Sequence, residues 1–135
     1  MPTRTSTPAS AGQLGLLILL GAGFWLTGVV IVRIIEPLGA LSGTWRALSY
    51  ALLVPGTLPA IWLTRRLAHV SRGGILAAVG VVTAAALVLD GIVFGWMPWI
   101  YAPDTEGQLH AAAFILWGGA VGLVLALISQ LREAR

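Results

Sequence analysis

The chain has 135 residues, 58% of them hydrophobic and only 10% charged, where an ordinary soluble domain carries about 25% charged residues. It has no cysteine, which excludes structural disulfides, thiolate metal sites and thiol catalysis. The net charge of +3 rests on basic residues that are all arginine; they stand at the ends of apolar runs rather than on one solvated face, so they mark membrane topology and not a groove for nucleic acid.

Residues 1–12, MPTRTSTPASAG, are dominated by Pro, Ser and Thr without apolar periodicity and read as a disordered cytoplasmic tail. The apolar run that follows, Leu14 to Ile35, exceeds the 7–15 residues of a signal-peptide core and is expected to be retained as a span. Four spans are predicted, at about 13–36, 44–65, 73–97 and 109–131, each near the 20 apolar residues that cross a bilayer core. They make one all-α membrane domain, a polytopic four-transmembrane-helix bundle, with 132–135 as its cytoplasmic end.

The first span holds Gly15, Gly21, Gly23 and Gly28, where a neighbouring helix can approach, and Trp25; Pro37 stops it. The second begins with Trp45 and Arg46 and contains Pro55, Gly56 and Pro59, a predicted kink whose freed carbonyls need partners. The third, Gly73 to Trp96, has one ionisable side chain, Asp90, and a small-residue spacing at Gly91 and Gly95. The loop after it carries Asp104 and Glu106 but no Lys or Arg, and Trp96, Trp99 and Tyr101 read as an aromatic girdle. The fourth span contains Trp117 and the small cluster Gly118, Gly119 and Gly122.

Arg4, Arg65, Arg66, Arg72, Arg132 and Arg135 fall on one side of this arrangement, leaving Arg46 and the span-edge Arg33 on the other. The positive-inside rule therefore predicts both termini in the cytoplasm and a multi-pass protein of the cell (inner) membrane.

A carboxylate within a span must be paired, protonated or reached by water. Counted at 1.5 Å per residue, Arg33 and Asp90 lie roughly 5 and 10 Å below the outer interface, on two spans that run in the same direction. The sequence thus predicts an Arg33–Asp90 salt bridge inside the bundle, with a bidentate fork available. Glu36, Tyr50, His110 and Thr83, the last seven residues before Asp90 and on its face, fall in the same outer half and are candidates to line a ligand pocket with that pair. Each also has a plainer reading: the pair as a structural clamp, His110 and Tyr50 as interfacial residues, Glu36 as a solvated carboxylate. His69 and His110 lie on opposite sides, so no shared metal and no cofactor is expected, and zincin, Walker and nucleophile-elbow motifs are absent.

The segments GFWLTGVVIVRIIEPL, LDGIVFGWMPWIYAPD and AAAFILWGGAVGL together resemble a family of small four-helix bacterial membrane proteins known as a domain of unknown function. Arg33, Leu89, Asp90, Pro98 and the Tyr101–Asp104 turn are the matching positions; Met97 stands where that family has Phe, and Ala102 separates Tyr101 from Pro103. The resemblance implies that the Arg and the Asp belong together, and it brings no activity.

The expected function is binding or moving a small solute at an outward-facing polar pocket around Arg33 and Asp90. The alternative is a non-catalytic accessory or scaffold subunit of a larger membrane complex, with the pair as a clamp; a membrane-embedded enzyme using Asp90 or His110 ranks third. The expected partners are the lipid bilayer and either a second copy or a larger membrane complex.

Overall fold

A computed structural model describes residues 9–135. Four helices, α1 (Ala11–Ile35), α2 (Gly43–Leu67), α3 (Ile75–Trp96) and α4 (Thr105–Glu133), account for nearly all of the described chain, with a short 3₁₀ turn at Pro98–Ile100 before α4. Each is long and apolar enough to cross a membrane. Their apolar residues surround the helix instead of forming one stripe, as expected where lipid replaces water outside the bundle; Leu19, Leu52, Trp62, Val88 and Leu116 all point outward.

The helix ends show how local sequence sets the boundaries. Ser10 caps α1, its hydroxyl accepting from Gln13 N at 3.1 Å, so Ala11 and Gly12 are helical and not part of the expected tail; residues 1–8 of that tail lie outside the described residues. Asp104 caps α4 by accepting from Gly107 N at 2.9 Å, which starts this helix four residues before the predicted span. Helix α3 has no side-chain cap of its own. Two of the donors at its entry are met from the end of α4, Gly73 N by Glu133 and Leu76 N by Gln130, each at 3.2 Å. Helix α2 closes with Val70 N on Arg65 O at 3.1 Å, which places His69 at φ +49°, a left-handed position where glycine is usual.

Pro55 and Pro59 both lie on the exposed side of α2, which stays helical through them. The kink expected at Pro55, Gly56 and Pro59 therefore does not break α2 into two segments.

The helices run up and down; of the sequence neighbours only α3 and α4 pack extensively, and the other main contacts join α1 to α3 and α2 to α4. Around the bundle the order is α1, α3, α4, α2, with α1 and α2 meeting only sparsely. The α1–α3 contact is the closest. A Cβ built at Gly21 would fall 2.5 Å from Val82 O and 2.7 Å from Ala85 Cβ, so the helices cross backbone to backbone there. The small cluster on α4 is used less tightly: Gly118 meets Leu53 of α2, Gly119 meets Thr83 of α3 and Gly122 meets Thr57 of α2. Gly91 and Gly95, whose spacing suggests close contact, take no part in packing within the fold: a Cβ added at either would have nothing within 4 Å.

Candidate functional site, a polar chain closing an intramembrane cavity

At the end of the bundle that holds the α1–α2 and α3–α4 connections, Pro98 starts the 3₁₀ turn and swings Tyr101 back into the bundle. Tyr101 is 1% exposed and its ring stacks on Phe94, centroids 4.2 Å apart and planes 8° from parallel. Its hydroxyl donates to Asp90 Oδ1. It accepts in turn from Trp25 Nε1 at 2.9 Å. An indole N–H can only donate, so Trp25 gives to Tyr101, and the Tyr101 hydroxyl gives its own proton to the Asp90 carboxylate. Burial first, and the neighbouring carboxylate second, push the Tyr101 phenol well above the usual tyrosine range, which keeps its proton available to Asp90.

The predicted Arg33–Asp90 salt bridge is not formed. Arg33 is exposed and its guanidinium donates to the backbone carbonyls of Trp99 at 3.2 Å and Ile100 at 3.1 Å. It clasps the turn that carries Tyr101 instead of touching the acid. The physical reason is reach and supply: a phenol delivered by the turn meets Asp90 within the bundle, while the turn's carbonyls meet Arg33 at the interface. The ion pair found among the described residues is Arg65 with Glu133, at the other end.

The remaining candidates separate into three places. Asp90, Thr83 and Gly56 line a cavity of about 260 Å³ at the centre of the bundle, together with Trp25, Gly28 and Thr57 among others, contributed by all four helices. Thr27, Ile31 and Gly56 are exposed members of its wall, so it opens along the loose α1–α2 seam. Glu36 and His110 border a different depression near the loop end, with Asp104 and Glu106. There Glu36 packs over Gly107, and Arg46 lies 3.3 Å from His110 Nε2. A guanidinium only donates, so in this contact the imidazole nitrogen is the acceptor. Tyr50 belongs to neither space; it stacks on Trp117 at 5.5 Å and meets Phe114 edge-on, while Trp117 donates to its carbonyl.

Trp25 and Tyr101 are the residues the sequence reading missed as site members, having assigned them to packing and to the girdle. Trp96 and Trp99 do remain exposed at that end. A signal existed: Asp90 needed a donor, and Tyr101 is the hydroxyl that a proline-initiated turn returns towards it. No group of His, Asp or Glu among the described residues is placed to hold a metal.

Chemically, the arrangement offers a carboxylate whose position is set by two aromatic donors, at one end of a mostly apolar chamber. No family model, curated protein or solved structure matches the chain.

Proposed function

We propose that this is a multi-pass protein of the cell membrane, with both termini cytoplasmic, that binds a small, largely apolar molecule in the cavity between its helices. The observation that carries this reading is the chamber of about 260 Å³ ending on the buried Asp90. An apolar cavity of about 150 Å³ already suffices to take up benzene, and membrane helices pack closely unless space between them is kept. Gly28 and Gly56 keep it: both line the cavity and a Cβ at either would meet nothing within 4 Å. The arginine distribution supports the orientation, which sets the Asp90 end towards the outside.

An accessory-subunit reading has its own support. The Trp25–Tyr101–Asp90 chain closes on itself, and no buried polar side-chain atom among the described residues lacks a partner, which suits a clamp between α1, α3 and the turn. An enzyme using Asp90 with His110 is disfavoured, because the two side chains border different spaces.

Propylbenzene added to the protein in lipid nanodiscs tests the ligand reading. The methyl resonances of Thr57 and Thr83, both on the cavity wall, should shift and saturate. Gly28→Leu, which fills the chamber from α1, should fold normally and abolish the saturable shift. A shift that stays linear, or that persists in Gly28→Leu, assigns the effect to lipid partitioning and removes the proposal.

A further inference from the structure

Of the side-chain donors in the cavity wall, all but Thr83 are spent on other groups of the protein, and this determines what the chamber can recognise. Thr27 donates its hydroxyl proton to Gly23 O at 2.9 Å, Thr57 to Leu53 O at 2.7 Å and Thr64 to Ala60 O at 2.8 Å. Each is bonded back to the carbonyl four residues earlier, and each retains lone pairs only. The Trp25 N–H is committed to Tyr101, and the Tyr101 O–H to Asp90. Thr83 is the remaining hydroxyl, free by chemistry to give or take. No Arg or His lines the chamber. Asp90 is the ionisable side chain among the buried residues, and once ionised, as opposite an ammonium, it only accepts.

From this inventory we propose that the cavity selects a lipophilic ammonium: a compact apolar body carrying a protonated amine that donates to Asp90 and to threonine oxygens. This rests on the small-molecule reading above and narrows it. An anion or a carboxylic ester brings several acceptors to a wall whose one free donor is Thr83, and leaves most of its own oxygens unpaired in a low-dielectric site. An ammonium brings up to three donors and a counter-charge for the Asp90 carboxylate; a charge-assisted bond there is roughly twice as strong as a neutral one. The opening on the α1–α2 seam faces the space occupied by acyl chains. An amphiphile already dissolved in the bilayer reaches it without crossing the loops.

Three near-isosteric probes decide the matter in nanodiscs, with the Thr57 and Thr83 methyl shifts as readout: 2-phenylethylammonium, propylbenzene and 3-phenylpropanoate. The ammonium is expected to saturate the wild-type protein at a concentration about tenfold or more below propylbenzene, and the carboxylate not at all. Asp90→Asn keeps an acceptor for Tyr101 and should erase the advantage of the ammonium over propylbenzene. The wild-type ranking needs no variant and stands if Asp90→Asn fails to fold. An ammonium no tighter than propylbenzene, or a carboxylate that saturates equally, overturns the donor selection while the cavity reading survives. Failure of all three probes to saturate removes both.

Discussion

Tyr101 is the residue on which the interior polarity turns. Tyr101→Phe deletes one oxygen and strands two groups, the Trp25 N–H and the Asp90 carboxylate. Each buried group left without a partner costs about 1–3 kcal/mol, so the variant should lose about 2–6 kcal/mol of stability in detergent, read by thermal or denaturant unfolding. Asp90→Asn should cost much less, because its amide oxygen still accepts from Tyr101. The order of these two variants discriminates between partners: had Arg33 been the counter-charge, Asp90→Asn would be the damaging one and Tyr101→Phe nearly silent. Arg33 acts one step away, by holding two carbonyls of the turn that aims the phenol.

Among elements, the α1–α3 crossing is the contact that tolerates least. An Ala at Gly21 puts its Cβ against the Val82 carbonyl and the Ala85 methyl, and neither can yield without moving a helix. Overpacking of this kind costs about 1–3 kcal/mol. The same change at Gly91 meets open space and should be neutral or gain up to about 1 kcal/mol from helix propensity alone; unfolding of the two variants side by side checks the contrast. At the opposite end of the bundle, past the apolar part of α4, Glu133 returns to Arg65 and to Gly73 N, tying α2, α3 and α4 together. The Arg65 guanidinium first and the Gly73 N–H second hold the Glu133 carboxyl below the usual glutamate range. The sign follows from linkage. A depressed acid contributes its stabilisation at neutral pH and loses it as pH falls through the folded value, below the ordinary glutamate pKa of about 4.3. The Gly73 amide resonance should therefore titrate with a midpoint under that value, and the step should vanish in Glu133→Gln.

For the whole molecule, the proposed orientation is open to direct labelling, since the chain has no native cysteine. A membrane-impermeant maleimide should label Glu106→Cys in intact cells and Ser71→Cys only after permeabilisation. The reverse pattern would place the Asp90 end of the cavity towards the cytoplasm.

Much of this architecture was legible along the chain. Four apolar runs separated by Pro, Gly and charged residues became four helices. Asp90 stood out because an acid within a span cannot be ignored by its surroundings. What no run of residues could disclose was its partner. Membrane helices are apolar on every side, so periodicity does not say which faces meet, and depth counting admitted Arg33 as readily as any other donor. The packing order α1, α3, α4, α2 follows from close approach at Gly21, and the Tyr101 phenol reaches Asp90 only because a three-residue turn folds it inward. The number and limits of the helices were local properties, settled by hydrophobicity and caps. The identity of the acid's partner, the open α1–α2 seam and the chamber behind it depended on contacts between residues far apart in the chain, which exist only once the bundle has formed.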